Sequence, residues 1–206
     1  KARHFFLQKR FLDNPAFSFY IDVTRQEEGV LRKIELDRID WGSIFHFGRG
    51  VEVSKSGVVA ICTHCHNASG VTRKQLEAKE KPCPFCDSLI QLNEGNIRKI
   101  VFEYPKENYI PILVGENVRR YSEVGRSYIV PGVTGVNYKA AKLYEPPKIL
   151  VRKTGLGINA MIDYSSTYIS QTVYSCNFLS ENNQIPLEYY LGILNSLLMY
   201  YYYIKS

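Results

Sequence analysis

The chain has 206 residues, of which 45% are hydrophobic, and this is enough to bury a core in one or two domains. Its 26 lysines and arginines outnumber 20 aspartates and glutamates, and the net charge of +6 suits a polyanionic partner without identifying one. The longest apolar stretch, residues 191–204, is too short and too rich in tyrosine for a membrane span, and no secretory signal is present. We therefore expect a cytoplasmic fragment of a larger protein with no membrane partner.

The first sixty residues mix helical and extended patterns. Residues 1–25 have no clear hydrophobic period, so helix and strand both stay open there. Residues 35–47 carry apolar side chains close to helical spacing, which predicts a short helix that ends in a loop at Gly48-Arg49-Gly50. Residues 51–61 then predict a β-hairpin with its turn at residues 55–57.

Short β-rich segments separated by Gly and Pro dominate the rest of the chain. Strands are predicted at residues 89–92, 100–104, 110–114, 128–130, 148–153, 160–164 and 170–177. From Pro186 onward, leucines and tyrosines recur at i, i+3, i+4 and i+7, which predicts a C-terminal helix. The expected fold class is α+β, with a β-rich body, an inserted cysteine module and a C-terminal helix.

Four of the five cysteines form two C-x-x-C pairs with 17 residues between the pairs. The four are Cys62, Cys65, Cys83 and Cys86. This spacing is typical of two zinc knuckles that face each other across a ribbon, and four thiolates give Zn²⁺ a closed tetrahedral site with a structural role. We predict a zinc ribbon over residues 58–92.

Alternative roles for the cysteines and the neighbouring histidines have less support. His64 and His66 flank Cys65 and are alternative ligands, but four thiolates already complete the coordination shell. A thioredoxin-like redox role needs only one C-x-x-C motif, placed at the start of a helix after a βαβ pattern, and neither pair has that context. Cys176 stands alone in a β-rich segment, where a small buried hydrophobic residue is expected.

No catalytic constellation is recognisable. Asn14-Pro15-Ala16-Phe17 has part of the loop with which adenine-methylating enzymes hold a flipped base, but it lacks the second proline and any preceding cofactor loop. An ordinary turn accounts for it. Gly155-Leu156-Gly157 is too short for a dinucleotide or phosphate-binding fingerprint. We predict no catalytic residue in this segment.

A series of local motifs follows one order along the chain. The series is Gly48-Arg49-Gly50-Val51-Glu52, Lys55 with Gly57, the cysteine pairs, Pro111 with Gly115, Asn117-Val118, Arg120-Tyr121, Pro147-Lys148-Ile149-Leu150-Val151-Arg152, Ala160 with Asp163, and Leu191-Gly192-Ile193-Leu194-Asn195-Ser196 with Leu198. It resembles the TaqI-like C-terminal specificity domain, the target-recognition part of adenine-N6 DNA methyltransferases and of restriction enzymes fused to them. The resemblance covers most of residues 45–204, and Asn117 stands where the family often has Asp.

The resemblance implies that residues 1–206 form a DNA target-recognition domain. Its expected partners are double-stranded DNA and a methyltransferase domain of the same polypeptide, placed upstream, against which the tyrosines of the C-terminal helix are expected to pack. That absent domain would bind S-adenosylmethionine and carry the catalysis, so this segment is expected to have no activity alone. The family commonly carries a four-cysteine ribbon in the position seen here.

Basic residues in and near these motifs are the candidate DNA contacts. They are Arg49, Lys55, Arg119, Arg120, Lys148, Arg152 and Lys153. Arg49 lies between two glycines, which permit a close approach of backbone to a groove, and its guanidinium is suited to guanine O6 and N7. Lys55 is expected at a phosphate. Because strand residues alternate between faces, Arg152 and Lys153 are not expected to point at DNA together.

Two other functions remain open from the sequence. One is a zinc-ribbon interaction or scaffold module whose basic residues meet acidic proteins. The other is an enzyme, either a nuclease or a methyltransferase, whose catalytic groups converge from distant positions.

Overall fold

A computed structural model describes residues 23–36, 38–53, 57–180 and 183–205. These ranges leave out residues 1–22 of the open N-terminal segment, including the turn predicted at residues 14–17. They also leave out residues 54–56, which contain the candidate contact Lys55 and most of the predicted hairpin turn. All statements below concern the described residues.

The described chain alternates short strands with a few helices. The helices are α1 (Arg25–Glu35), α2 (Arg73–Ala78), α3 (Leu187–Leu194) and α4 (Leu197–Lys205). The strands are β1 (Phe45–Arg49), β2 (Val58–Ile61), β3 (Ala68–Gly70), β4 (Glu80–Pro82), β5 (Leu89–Gln91), β6 (Ile97–Lys99), β7 (Val101–Phe102), β8 (Ile110–Leu113), β9 (Val118–Arg119), β10 (Ser122–Glu123), β11 (Ser127–Ile129), β12 (Lys148–Arg152), β13 (Ala160–Asp163), β14 (Tyr168–Ile169) and β15 (Val173–Phe178). Among these helices, none has the length and apolar character needed to cross a membrane.

The main sheet has four antiparallel strands in the order β1-β15-β12-β13. Its register places Cys176 between Phe47 and Ile149, and Ile149 beside Ile162. Side chains of directly paired residues share a face of the sheet, so this row points to one side and the next row, Leu150 with Ser175 and Met161, to the other.

A second sheet packs on one face of the main sheet. Its order is β14-β8-β11-β7, and β14 runs parallel to β8 whereas the other pairs are antiparallel. Leu150 and Val173 of the main sheet meet Ile112, Ile129 and Ile169 of the second sheet in the largest buried cluster. The two facing sheets explain why most predicted strands are short and partly buried, and they confirm the α+β class.

Helix α3 covers the opposite face of the main sheet. Leu187 and Leu191 of α3 pack on Phe45, Ile149 and Cys176 of the sheet, where Trp41 also stacks on Phe45 at a centroid distance of 4.4 Å. Cys176 is thus the small buried residue expected from the sequence, and burial raises the pKa of its thiol to about 11. Trp41 is the single tryptophan of the chain, so its fluorescence follows the folding of this core.

The predicted C-terminal helix is broken into α3 and α4 at Asn195. This buried side chain accepts a hydrogen bond from Ala160 N (3.1 Å) and donates one to Ala160 O (2.8 Å), so the amide acts as a strand partner for the free edge of β13. Tyr121 N also donates to Ala160 O (2.8 Å). The break in the helix therefore follows from a contact 35 residues away in sequence.

Replacing Asn195 by alanine is expected to lower the free energy of unfolding by about 1–3 kcal/mol, because the buried Ala160 N–H loses its partner. Urea unfolding followed by Trp41 fluorescence measures this change. The exposed amide Gln184 makes no such contact, and Gln184→Ala is the matched control, with a change within about 0.5 kcal/mol. Equal effects of the two substitutions would contradict the role given to Asn195.

Helix α1 packs against α4. Thr24 and Glu27 form a capping box at the start of α1, and Val23 and Leu31 contact Tyr201 and Tyr202. Glu27 pairs with Lys205 at the far end of α4 (2.7 Å), and the hydrogen bond from Lys205 holds the pKa of the Glu27 carboxyl at about 2. Tyrosines of the C-terminal helices were expected to pack on a missing domain. Tyr201 and Tyr202 instead contact helix α1 and its N-terminal flank within this chain.

The helix predicted over residues 35–47 is wrong. Helix α1 ends at Glu35, a 3-10 turn occupies Trp41–Ser43, and Phe45–Arg49 forms β1 at the edge of the main sheet. The apolar residues Leu36 and Ile39, which gave the helical spacing, are mostly exposed. The partner of β1 is β15, about 130 residues later, and local periodicity carries no information on such a pairing.

The hairpin predicted over residues 51–61 is also wrong. Val51 forms a parallel bridge with Ser170, and β2 pairs with β3 and β6. Gly50 lies where the chain crosses beside β14, and a Cβ there would lie 1.8 Å from Ile169 O. Gly50 is therefore required by packing inside the protein, and Gly48-Arg49-Gly50 is the end of a strand and not a loop.

Candidate metal centre and nucleic-acid interface

The four cysteines lie in a small module built from β2 to β6 and α2, which we call the cysteine ribbon (residues 58–99). Strands β3, β2 and β6 form one sheet, and β4 and β5 form another. Each of the hairpins β2-β3 and β4-β5 has a C-x-x-C turn at its tip. The module reaches Lys99, beyond the limit of 92 expected from the sequence, because β6 completes the first sheet.

The two turns have the same backbone geometry. His66 N donates to Cys62 O (2.9 Å) and Cys62 N to Asn67 O (3.0 Å), while Asp87 N donates to Cys83 O (3.0 Å) and Cys83 N to Ser88 O (2.9 Å). His66 and Asp87 both have left-handed φ angles, 59° and 58°. This repetition presents each cysteine pair on one side of its turn, as in paired zinc knuckles.

The four sulfur atoms converge. Cys62 Sγ lies 3.7 Å from Cys86 Sγ, and Cys65 Sγ lies 3.6 Å from Cys83 Sγ, with all four sulfurs within 4.8 Å of one another. Four sulfurs at the usual Zn–S distance of about 2.3 Å form a tetrahedron with edges of about 3.8 Å. The donor set and its spacing therefore fit a tetrahedral metal ion, and tetrahedral sites of four thiolates hold zinc or iron.

The surroundings of the sulfurs favour the thiolate form at Cys62 and disfavour it at Cys83. The backbone amides of Cys65 and His64 lower the pKa of Cys62 to about 6, whereas burial raises the pKa of Cys83 to about 11. Ser88 Oγ lies 2.7 Å from Cys86 Sγ. His64 and His66 are exposed, and the clustered ligands are cysteines only.

The ribbon has a small core of its own and also packs on the body of the domain. Its buried residues are Ala60, Cys62, Val71, Cys83, Ile90 and Leu92. Val59 and Ala68 of the first hairpin belong instead to the core between the large sheets, and Ala68 N donates to Thr134 O (2.8 Å). The second hairpin therefore depends more on the cysteine cluster than the first does.

Three of the candidate DNA contacts lie toward one end of the main sheet. Arg49 ends β1 and pairs with Tyr174, which in turn pairs with Val151, two residues before Lys153. Strand β15 lies between β1 and β12, so these two strands are two strand spacings apart, about 10 Å. Arg119 lies in the β9-β10 hairpin, which Tyr121 N ties to Ala160 on the same row. We call Arg49, Arg119 and Lys153 the basic end.

The basic end is open to a ligand. All three of its side chains are exposed, and none forms an ion pair within the described part of the chain. Tyr121 and Leu156, which are not among the candidate contacts predicted from the sequence, are exposed at the same end, at 58% and 77%. Positively charged side chains beside exposed apolar ones suit contact with the phosphates and sugars of a nucleic-acid backbone.

Lys148 is removed from the candidate contacts, because it is fully buried. Its ammonium pairs with Asp163 Oδ2 (2.7 Å) and donates to Tyr144 O (3.1 Å) and Ser165 O (2.5 Å). Burial lowers the pKa of Lys148, and the hydrogen bond to Asp163 opposes this. Lys148 and Asp163 are direct cross-strand partners, so the motif that contains them is a structural ion pair.

Arg120 and Arg152 have partners within the protein. The Arg120 guanidinium donates to Asn195 O at the carboxyl end of α3, where a cation is favourable. Arg152 Nε donates to Thr154 O (2.5 Å). Asn117 accepts from Val114 N and donates to Val124 O, both at 2.8 Å, which explains an amide at this turn position. These contacts give the motif residues structural roles.

Comparison with protein families identifies a match to the C-terminal part of the chain. Residues 110–206 match the model of a family described as TaqI-like C-terminal specificity domain. The matched range runs from β8 to α4 and therefore includes most of the second sheet, most of the main sheet and both C-terminal helices. No curated protein matches the chain. The match confirms the resemblance seen in the sequence for this part of the chain.

Proposed function

Because residues 110–206 match the TaqI-like C-terminal specificity domains, we propose that the chain is the DNA target-recognition module of a restriction-modification adenine-N6 methyltransferase. The family match carries this proposal and supports a role in DNA specificity. In the proposal, the module positions duplex DNA for a methyltransferase domain of the same polypeptide. That domain binds S-adenosylmethionine and performs the methyl transfer.

The basic end is the proposed contact surface. Its exposed cations neutralise phosphates, which supplies affinity and makes it depend on salt, while guanidinium contacts to base edges supply sequence preference. Arg49 and Arg119 carry guanidinium groups, and Lys153 is suited to phosphate. Arg120 and Arg152 are left with smaller roles, since their guanidinium groups already have backbone partners.

The cysteine ribbon is proposed as a structural zinc site inserted in the recognition domain. Four thiolates complete the coordination of Zn²⁺, so the metal would have no open position for substrate and would hold the two hairpins together. Lys81 of β4 links the two hairpins. Its buried ammonium donates to Ser69 Oγ (2.8 Å) and Gly70 O (2.7 Å) of β3, and Lys81 lies two residues before Cys83.

Charge reversal at Arg49 tests the proposal. Arg49→Glu is expected to weaken duplex binding at least about 10-fold, because one contact is lost and a repulsive charge replaces it. Fluorescence anisotropy with a labelled duplex measures the affinity. Arg73→Glu is the matched control, since Arg73 is exposed on α2 in the ribbon and its pair with Glu77 is a surface pair that adds little stability. Equal binding by both variants would contradict the assignment of Arg49.

A protein-interaction module is the second candidate function. Phe85 and Leu89 project from the second hairpin of the ribbon with 52% and 57% of their surfaces exposed, and two apolar side chains at such a tip suit a protein surface. In this case Arg49→Glu would leave partner binding intact, and Phe85→Ser would reduce it. The two candidates thus respond to different substitutions.

A further inference from the structure

Two lysines converge on one aromatic ring at the edge of the second sheet. Lys99 Nζ lies 5.7 Å from the centroid of the Phe102 ring, and Lys106 Nζ lies 5.3 Å from the same centroid. Tyr109 packs against this ring at a centroid distance of 5.2 Å. Lys99 ends β6 of the ribbon, Phe102 ends β7, and Lys106 lies in the following turn, so three successive segments build this feature.

This arrangement leaves positive charge without an internal partner. In the part of the chain that the structure describes, neither ammonium forms an ion pair, although Glu103 is nearby. Contact of each ammonium with the ring is favourable by about 0.5–1 kcal/mol, but two like charges near one ring repel each other. An anion in the pocket that both lysines line would relieve that repulsion.

The two lysines and the Phe102 ring line a shallow pocket that is open to solvent. It has a volume of about 320 Å³ and is lined by Lys99, Phe102, Glu103, Tyr104 and Lys106. The Tyr104 side chain is 76% exposed. A phosphate group is small enough for this space, and its negative charge matches the two ammonium groups.

The adjoining sheet face is partly aromatic. Phe102 is paired with Tyr128 of β11, which is paired with Pro111 of β8, so the three side chains form one row. The next row, with Val101, Ile129 and Ile110, packs on the core. The Phe102 row therefore faces outward. Flat apolar groups beside cations suit a nucleic-acid strand, whose sugars and bases meet the rings while its phosphates meet the charges.

We propose that Lys99, Phe102 and Lys106 bind a phosphate of the DNA backbone, at a second contact site separate from the basic end. This inference rests on the proposed function, because it requires that the chain bind DNA. The site links the ribbon to the second sheet, since Lys99 belongs to the former and Phe102 to the latter. It carries no base specificity, because ammonium groups on a phosphate read charge and not sequence.

The salt dependence of duplex binding tests this site. The full chain and the double variant Lys99→Gln/Lys106→Gln are titrated with a labelled duplex at several salt concentrations. Loss of two phosphate contacts is expected to reduce the slope of log K against log[salt] by about 2 in magnitude and to weaken binding about 10- to 50-fold near 0.1 M salt. Lys33→Gln/Lys74→Gln removes two exposed helix lysines and is the matched control for net charge.

Two different results would overturn the inference. In the first, the parent chain binds duplex, but the slope of log K against log[salt] is unchanged in the Lys99/Lys106 variant or changes equally in the control. This result would overturn the second contact site alone and leave the basic end in place. A parent chain that binds no duplex at any salt concentration would overturn the proposed function and this site with it. Circular dichroism spectra of both double variants identify any loss of fold.

Discussion

Chelation of the proposed zinc ion is expected to unfold the cysteine ribbon while the main sheet stays folded. Binding of Zn²⁺ to four-ligand sites contributes about 10–16 kcal/mol to folding. This exceeds the stabilisation that six buried residues and strands of three or four residues supply. Hydrogen exchange after chelation should show lost protection within residues 58–99 first. The second hairpin, β4-β5, should lose it most completely, because the first hairpin also packs on the core between the large sheets.

Cysteine substitutions sharpen this experiment. Cys83→Ser removes one of the four clustered sulfurs and is expected to abolish stoichiometric zinc, whereas Cys176→Ala removes a cysteine of the main sheet and should leave the metal content unchanged. Metal analysis by mass spectrometry gives the stoichiometry. Equal loss of protection across the whole chain after chelation would contradict a separately stabilised ribbon, and absence of metal from chain produced with zinc would contradict the metal itself.

Replacing Lys148 by alanine is expected to destabilise the fold by about 3–5 kcal/mol. The substitution leaves the Asp163 carboxylate, which is 5% exposed, without its cation, and an unpaired buried charge is costly. It also removes the hydrogen bonds to Tyr144 O and Ser165 O. This loss is a large fraction of the roughly 5–15 kcal/mol that holds a typical domain folded. Urea unfolding monitored by Trp41 fluorescence gives the value.

Two further variants separate the ion pair from simple loss of a lysine. Lys153→Ala changes an exposed lysine just beyond the same strand and should alter stability by no more than about 0.5 kcal/mol. Lys148→Met/Asp163→Leu removes both charges and should recover part of the stability lost in Lys148→Ala. If Lys148→Ala and Lys153→Ala had similar effects, the buried position of Lys148 would be contradicted.

The sequence predicts best the elements whose signal is local. The strands β8, β12, β13 and β15 lie within one to three residues of their predicted ranges, because each is a short β-rich run bounded by Gly, Pro or polar residues. The cysteine spacing predicts the cluster for the same reason. Two C-x-x-C turns determine where their four sulfurs go once the hairpins pair.

Features that depend on distant partners were not predictable. The β1 segment carries a spacing that resembles a helix, and only pairing with β15 makes it a strand. Lys148 has the composition of a surface residue, and its burial depends on Asp163, which the sequence places 15 residues later on the next strand. Asn195 breaks a predicted continuous helix because its side chain bonds to β13.

The candidate interface shows the same division. The exposed residues Arg49, Arg119 and Lys153 lie in or beside the motifs, as do Lys148, Arg120 and Arg152. The motifs alone do not separate the two groups. Only the fold reveals which guanidinium and ammonium groups already have partners. The pair Lys99 and Lys106 has no motif signal. Both lysines lie within four residues of Phe102 in sequence, but spacing alone does not show that their side chains turn toward its ring.

Selection from a pool of randomised duplexes tests the central claim, sequence-specific recognition of DNA, most directly. The chain is incubated with the pool at moderate salt, and bound duplexes are amplified and sequenced over several rounds. The proposed function predicts enrichment of one short target sequence, with weaker enrichment for Arg49→Glu and unchanged enrichment for Arg73→Glu. A bound pool whose sequences stay random, in a chain that retains its fold and its metal, would contradict recognition of a target.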